Sequence, residues 1–290
     1  MIVPLLRTTR PHQWIKNVLV FLPLAAAHRS LNSSAVIPTL MAFAAMVVAS
    51  SAVYILNDLF DLEADRMHPT KRNRPIARGE VTRSSAIVFA CLLVLIMGGL
   101  LTLMPRSVAG WVGVYLVIST LYSTKLKCFA IVDVLALAVL YTIRIMVGGA
   151  ASGLPISHWL LALSMFFFFS LALLKRYVEL TSWPEDHASR RTRRDYRRSD
   201  LPTIHVLGIT SGLLSVLVLA LYITSGDAVA LYASSGWLWG LCVLLLYWLC
   251  YIWLCAARGE VHDDPVWFAL SDRASLIVAM LAIGVVIVAI

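Results

Sequence analysis

Long uncharged stretches separated by short charged segments dominate this sequence. The clearest of them runs for 23 residues from Ala35 to Asn57 without a charged side chain. An α-helix rises about 1.5 Å per residue and the hydrocarbon core of a bilayer is about 30 Å thick, so about 20 such residues cross it. The pattern predicts an all-α integral membrane protein with nine spans, near 14–28, 35–57, 84–104, 107–122, 131–153, 157–174, 204–224, 229–256 and 271–290.

The composition and the positions of the charges support this interpretation. The chain is 60% hydrophobic and only 14% charged, with a mean hydropathy of +0.83, which is typical of multi-span membrane proteins. Its formal net charge of +8 does not indicate nucleic-acid binding, because the basic residues collect in alternate connections between spans. With a cytoplasmic N-terminus, 21 of the 24 Lys and Arg residues lie on the inner side, and Arg29, Arg106 and Arg144 do not. We therefore expect a protein of the plasma membrane with its N-terminus on the cytoplasmic side.

The polar chemistry is expected on the cytoplasmic face of one domain covering residues 1–290. No Gly/Ser-rich linker divides the chain, and the charged residues gather in four inner connections. Within them, the run RRTRRDYRR at 190–198 is typical of contact with anionic lipid headgroups. Tryptophans near span ends predict an aromatic belt at the membrane surfaces, formed by Trp111, Trp159, Trp237, Trp239 and Trp253. The four inner connections are 58–83, 123–130, 175–203 and 257–270.

Three aspartates follow the Ala35–Asn57 run at once. Asp58, Asp61 and Asp65 have the spacing i, i+3 and i+7, which places them on one face of a helix. Like charges stacked in this way repel each other unless a cation lies among them, and Mg²⁺ is usually bound by one or two carboxylates together with substrate phosphates. The basic residues that follow suit the phosphates of the same site, because Arg matches phosphate oxygens in bidentate fashion. They are Lys71, Arg72, Arg74 and Arg78.

These residues resemble those of a known family. The segment NDLFDLEAD at 57–65 resembles the first aspartate-rich motif of the UbiA superfamily of intramembrane prenyltransferases. RPHQWIKN at 10–17, YSTKLK at 122–127, VDV at 132–134 and KRYVEL at 175–180 resemble its branch of polyprenyl-phosphate phosphoribosyltransferases. The resemblance covers nearly the whole chain. It departs from the aromatic prenyltransferases where Lys175, Arg176 and Glu179 replace their second acidic motif.

The resemblance implies a nine-helix UbiA-like bundle that transfers 5-phosphoribosyl from phosphoribosyl diphosphate to a decaprenyl-like polyprenyl phosphate. Mg²⁺, or Mn²⁺ in its place, is the implied cofactor, with Asn57, Asp58, Asp61 and Asp65 as its ligands. Asp58, Asp61, Lys175 and Arg176 are the implied catalytic residues. The extra cations Lys175 and Arg176 suit a donor and an acceptor that both carry additional phosphates. The implied substrate-binding residues are Lys16, Asn17, Lys71, Arg72, Arg74, Arg78, Tyr122, Lys125, Lys127, Asp133, Arg144, Lys175, Arg176, Glu179 and Tyr196.

Several alternatives remain open from the sequence. The same motif fits a prenyltransferase that moves an isoprenoid from a prenyl diphosphate to an aromatic acceptor. A lipid-phosphate transporter would require ionisable residues near the bilayer midplane, and Arg144 is the one such residue. Arg144 itself either holds the helices together or contacts the lipid phosphate. The run His262-Asp263-Asp264-Pro265 either binds metal or starts a helix, and it is left outside the predicted site.

Overall fold

The protein is helical throughout its described parts. The computed structural model describes residues 2–27, 33–67, 71–182, 195–261 and 264–290. Every regular element in these ranges is a helix, as the sequence pattern predicts. Seven of the helices are long and apolar enough to cross a membrane, and a further pair, bent by 81°, makes an eighth span if it is counted as one.

The chain forms two compact units. Unit 1 contains Met1–Thr124 and Ile143–Pro155, and unit 2 contains Lys125–Thr142 and Ile156–Ile290. Unit 1 is built from α1 (Ile2–Thr8), a 3₁₀ helix (Pro11–Phe21), α2 (Leu22–Ala26), α3 (Ser33–Phe60), α4 (Leu62–Met67), a short 3₁₀ helix (Lys71–Asn73), α5 (Arg83–Thr102), α6 (Arg106–Thr124) and the later part of α7 (Val132–Ser152).

Helix α3 is the central element of unit 1. Ala42, Ala45, Ala49 and Ala52 recur on one side of it at helical spacing, and all four are buried. Small side chains let helices approach closely in a membrane, where van der Waals packing drives helix association. Helix α3 accordingly packs against α5, α6 and the 3₁₀ helix Pro11–Phe21.

The first predicted span, 14–28, has a different structure from the one expected. The chain forms a 3₁₀ helix over Pro11–Phe21 and then the short helix α2, in place of one continuous α-helix. The change of helix type coincides with Pro23, which has no N–H to donate to the preceding turn. Asn17 and Val20 of this segment are fully buried. The described residues therefore contain seven or eight span-length helices, where the pattern predicted nine.

Unit 2 begins with a short 3₁₀ helix (Leu126–Cys128) and the first part of α7. Its later elements are α8 (His158–Thr181), a 3₁₀ turn (Arg198–Asp200), α9 (Leu201–Ile223), α10 (Gly226–Leu231), a 3₁₀ turn (Ser235–Leu238), α11 (Trp239–Ala257), α12 (Pro265–Ser271) and α13 (Arg273–Ala289).

A glycine in α9 allows α8, α9 and α11 to pack closely. A Cβ at Gly208 would overlap the indole ring of Trp253. The absence of that carbon lets the Trp253 Nε1–H donate to the Ser170 hydroxyl at 3.2 Å, while this hydroxyl donates to the carbonyl of Gly208 at 2.7 Å. Trp253 is only 3% exposed, so its assignment to an aromatic belt at the membrane surface is wrong.

Aspartates start the last two helices. The Asp264 carboxylate accepts the N–H of Val266 at 3.0 Å and caps α12, and Asp272 accepts the N–H of Ser275 at 2.8 Å and caps α13. Asp264 therefore has the helix-start role that was one of the two alternatives for this segment. His262 and Asp263 lie outside the described residues, as does the part of the arginine-rich segment between 190 and 194.

Candidate functional site

The three predicted aspartates lie where α3 passes into α4. The Asp61 N–H donates to the Asn57 carbonyl at 2.9 Å and the Asp65 N–H donates to the Asp61 carbonyl at 2.8 Å. Helical bonding thus continues across the junction and preserves the i, i+3, i+7 register that the sequence predicts. Asp58 and Asp65 are each only 3% exposed, whereas Asp61 is half-buried.

Two arginines contact these buried carboxylates. Arg74 Nη1 lies 3.1 Å from Asp58 Oδ1 and 2.5 Å from Asp65 Oδ2, so one guanidinium bridges both acids. Arg10 forms an ion pair with the same oxygen of Asp58, and its guanidinium also lies 5.0 Å from the centre of the Tyr54 ring. We call Arg10, Asp58, Asp65 and Arg74 the acid–arginine cluster.

Arg10 was missed as a candidate site residue. It opens the segment RPHQWIKN, in which the resemblance pointed to Lys16 and Asn17. An arginine beside a proline near the N-terminus is typical of an ordinary membrane-flanking charge. Its 48-residue separation from Asp58 leaves no periodic signal by which the pair could have been found.

The acid–arginine cluster has the kinds of ligand that Mg²⁺ requires. The Oδ1 atom of Asn57 is buried and has no hydrogen-bond partner among the described residues. This amide oxygen and the neighbouring carboxylates are hard oxygen donors of the type that Mg²⁺ prefers. As the described side chains stand, no three His, Cys, Asp or Glu residues are gathered closely enough to hold a metal ion. These oxygen ligands are therefore of the chemical type that binds Mg²⁺, and the side-chain nitrogens of Arg10 and Arg74 lie against the two carboxylates.

The predicted basic residues of the 58–83 connection differ in their surroundings. Arg74 contacts the carboxylates of Asp58 and Asp65, and its contact with substrate phosphates stays a prediction. Arg78 pairs with Glu80 at 3.1 Å. Lys71 and Arg72 belong to the 3₁₀ helix Lys71–Asn73 and are exposed.

Arg144 and Asn17 lie in the interior of unit 1. Arg144 is 5% exposed and Asn17 is fully buried. Arg144 donates from Nε to the side-chain carbonyl of Asn17 at 3.0 Å, and its guanidinium lies 5.0 Å from the centre of the Tyr115 ring. The Asn17 amide in turn donates to the Ser50 hydroxyl at 3.2 Å. These contacts give Arg144 a packing role, and its contact with a lipid phosphate stays a prediction. Lys16 is half-buried.

A second group of charged residues lies in unit 2. Arg176 donates from Nε to Asp133 Oδ2 at 2.6 Å and also pairs with Glu179. The Tyr196 hydroxyl donates to the other oxygen of Asp133 at 2.7 Å and accepts the N–H of Ile131 at 2.8 Å. Asp133, Arg176 and Tyr196 are between 0% and 3% exposed. We call Asp133, Arg176, Glu179 and Tyr196 the Asp133 cluster.

Burial shapes the chemistry of the Asp133 cluster. The pKa of Tyr196 is raised above its usual value, first because burial disfavours the tyrosinate and then because the hydroxyl donates to Asp133. Both oxygens of Asp133 accept hydrogen bonds from the chain itself. This geometry suits a group that positions its neighbours, and direct contact of Asp133, Arg176 or Tyr196 with substrate stays a prediction.

The remaining predicted residues are more accessible. The Lys175 side chain is 38% exposed, and its ammonium lies 3.2 Å from Asp264 Oδ2. Lys125 is exposed, and Lys127 is half-buried in the 3₁₀ helix Leu126–Cys128. Tyr122 is half-buried at the end of α6. Substrate contacts of these four residues stay predictions.

Comparison with known proteins places this arrangement in a family. Residues 18–288 match the sequence pattern described as the UbiA prenyltransferase family. A UbiA homolog from Archaeoglobus fulgidus, solved bound to GPP and Mg²⁺, superposes with a TM-score of 0.68 at 12% identity and covers 97% of this chain and 99% of its own. At that identity the likeness concerns the fold.

Several curated proteins are similar in sequence. The uncharacterized protein y4nM of Sinorhizobium fredii is 39% identical over 94% of this chain, which spans only 53% of that protein's length. The nodulation protein NoeC of Azorhizobium caulinodans is 31% identical, covering 96% of this chain and 90% of its own. The decaprenyl-phosphate phosphoribosyltransferase of Mycolicibacterium smegmatis is 30% identical, covering 97% and 91%. The chain therefore belongs to the UbiA prenyltransferase family.

Proposed function

We propose that the protein is a Mg²⁺-dependent phosphoribosyltransferase that uses phosphoribosyl diphosphate as donor and a polyprenyl phosphate as acceptor. The observation that carries the proposal is the acid–arginine cluster, in which buried carboxylates suited to a metal lie against guanidinium groups suited to phosphates. The relative from Mycolicibacterium smegmatis supports the choice of donor and acceptor, since it bears that activity in its name and aligns over nearly the whole chain.

The proposed reaction is a displacement at C1 of the ribose. The bond from C1 to the diphosphate oxygen breaks, a bond from C1 to an oxygen of the polyprenyl phosphate forms, and diphosphate leaves with the electron pair. The nucleophile is anionic near neutral pH, so the protein needs no general base. The products are polyprenyl-phosphoryl-5-phosphoribose and diphosphate.

The residues of the acid–arginine cluster and the neighbouring Asn57 and Asp61 have separable roles in this proposal. Asn57, Asp58 and Asp65, with Asp61 beside them, would hold Mg²⁺, which when bound offsets the charge on the leaving diphosphate. Arg10 and Arg74 provide guanidinium groups that match phosphate oxygens in geometry. Positioning and electrostatics then supply most of the rate acceleration.

Replacement of the second acidic motif supports a phosphorylated sugar donor over a prenyl diphosphate. Lys175 is partly exposed and therefore accessible to a phosphate, whereas Arg176 is buried against carboxylates. We assign Lys175 to phosphate binding and Arg176 to positioning. Prenyl transfer is the rival activity, because it is the chemistry for which the family is named. An aromatic compound is the acceptor in the alternative that the sequence leaves open.

The test is a transfer assay with the purified full chain in detergent. It contains radiolabelled phosphoribosyl diphosphate, a short polyprenyl phosphate and Mg²⁺, and it measures label extracted into the organic phase. We expect transfer that EDTA abolishes and that Asp58→Asn reduces by about 100-fold or more, as for the loss of a group that stabilises transition-state charge. Glu80→Gln, an acid in the same connection that pairs with Arg78, is the matched control and should retain activity.

The same assay distinguishes phosphoribosyl transfer from prenyl transfer. Absence of labelled lipid, together with consumption of a prenyl diphosphate in the presence of an aromatic acceptor, would overturn the phosphoribosyl assignment. Equal activity of Asp58→Asn and Glu80→Gln would remove the acid–arginine cluster from the reaction.

A further inference from the structure

The acid–arginine cluster contains cations where a metal ion would bind. Arg74 Nη1 bridges Asp58 and Asp65 from α3 and α4, and Arg10 pairs with the same Asp58 oxygen. Mg²⁺ requires its oxygen ligands at about 2.0–2.1 Å in near-octahedral geometry. A guanidinium nitrogen and a metal ion cannot occupy the space between the same two carboxylates. A metal ion that bridges these two oxygens therefore displaces Arg74.

Arg10 and Arg74 stabilise the two carboxylates. Asp58 and Asp65 are almost completely buried, and a buried charge that loses its partner is strongly destabilising. The side chains of Arg10 and Arg74 are 24% and 27% exposed. Each arginine thus reaches the carboxylates from the surface, and it can move away without being transferred into the protein interior.

The backbone of Arg10 is strained in this arrangement. Its φ of 52° and ψ of 66° lie in the left-handed region, which is unfavourable for a residue with a side chain. In this conformation Arg10 forms the ion pair with Asp58 and the contact with the Tyr54 ring. Strain of this kind is often found at functional sites that change state.

A diphosphate gives the displaced arginines a new partner. We infer that Arg74 and Arg10 exchange from the carboxylates to the diphosphate when the metal ion enters, so that metal and diphosphate bind cooperatively. Metal alone has to expel the arginines without offering them an anion, and it therefore binds weakly. Metal with diphosphate supplies both a cation for the carboxylates and phosphate oxygens for the guanidinium groups.

This inference rests only on the part of the proposed function that assigns metal and diphosphate to the acid–arginine cluster. It does not depend on whether the donor carries a phosphoribosyl or a prenyl group. A binding measurement with Mn²⁺ and inorganic diphosphate, without any transfer reaction, tests it separately.

The experiment measures Mn²⁺ affinity by electron paramagnetic resonance for the full chain in detergent, with and without inorganic diphosphate. We expect Arg74→Ala to bind Mn²⁺ alone about tenfold more tightly than the wild type, because no guanidinium has to be displaced. The gain in Mn²⁺ affinity on adding diphosphate should fall by a similar factor, within the usual range of coupling between two ligands. Arg10→Ala should change both quantities in the same direction.

Two controls keep the outcome interpretable. Arg83→Ala removes an exposed arginine from the same connection that pairs with Glu63 at 2.6 Å, and it should leave both affinities unchanged. Arg74→Gln keeps hydrogen-bond donors without the charge and replaces Arg74→Ala if the latter does not fold. Unchanged or weaker Mn²⁺ binding by the folded Arg74 variant would overturn the exchange. If the arginines couple Mn²⁺ binding to diphosphate binding but the protein transfers no phosphoribosyl group, the exchange is supported and only the proposed function is overturned.

Discussion

Asp133 joins the charged residues of unit 2. Its two carboxylate oxygens accept hydrogen bonds from Arg176 and Tyr196, and all three side chains are almost completely buried. A buried charge that loses its partner destabilises the folded chain. Removing one of these contacts should therefore lower stability.

Arg176→Met tests whether Arg176 acts through position or through substrate contact. The substitution leaves Asp133 charged and buried, and we expect it to lower the free energy of unfolding by about 3–5 kcal/mol. Lys175→Met, one residue away and partly exposed, should lower it by less than about 1 kcal/mol. Thermal unfolding in detergent measures both. An Arg176→Met protein of wild-type stability without transferase activity would instead favour direct substrate contact.

The raised pKa of Tyr196 predicts that the difference in stability between the wild type and Tyr196→Phe depends on pH. The folded protein holds the phenolic proton more tightly than the unfolded chain, so this contribution to stability is complete below about pH 10 and is lost as pH rises further. Tyr196→Phe should be less stable by about 1 kcal/mol at neutral pH. Its deficit relative to the wild type should shrink above pH 10 in chemical unfolding. A deficit that is constant up to pH 11.5 would contradict this.

The contacts of Asp133 are the part of the candidate site that the sequence could not predict. The segment VDV marks Asp133 as a candidate, and the segments KRYVEL and RRTRRDYRR contain Arg176 and Tyr196. The ion pair and the hydrogen bond join positions 43 and 63 residues apart, and no periodicity encodes such a pairing. The sequence was therefore sufficient to select these residues as candidates, whereas their mutual contacts required the folded chain.

At the scale of elements, the long helices follow the hydrophobic pattern closely and the first segment does not. Helices α3, α5, α6 and α7 begin and end within about three residues of their predicted spans, because an apolar run in a bilayer must satisfy its backbone as a helix. The segment from Pro11 to Phe21 is equally apolar in its second half. Its 3₁₀ form depends on proline positions and on close packing against neighbours, which hydropathy does not report.

Gly148 provides a test of that close packing. A Cβ at this position would overlap the carbonyl oxygen of Val20 in the 3₁₀ helix, and backbone cannot move aside as a flexible side chain does. We expect Gly148→Ala to destabilise the protein by about 1–3 kcal/mol in thermal unfolding. Gly113→Ala in α6 is the matched control, because its Cβ meets open space and alanine favours a helix by up to about 1 kcal/mol. Equal stability of the two variants would mean that Gly148 makes no close contact with Val20.

At the scale of the whole molecule, the distribution of basic residues predicts the orientation in the membrane. Cys128 lies half-buried in a connection that the positive-inside rule assigns to the cytoplasm. A membrane-impermeant maleimide should therefore label Cys128 in inverted vesicles and not in intact cells. Arg106→Cys in a Cys128→Ser background should show the opposite pattern. Labelling of Cys128 from outside intact cells would reverse the proposed topology.

The polar partners of α7 also bear on how the chain enters the membrane during synthesis. Arg144 contacts Asn17 and Tyr115, which the ribosome makes earlier, whereas Asp133 contacts Arg176 and Tyr196, which it makes later. Asp133 lies in the first turn of α7, where a carboxylate can remain hydrated near the lipid headgroups. Arg144 lies eleven residues further along, where a charge facing lipid is costly. Arg144, which is costly to expose to lipid, thus has partners that have already been synthesised when α7 leaves the translocation machinery.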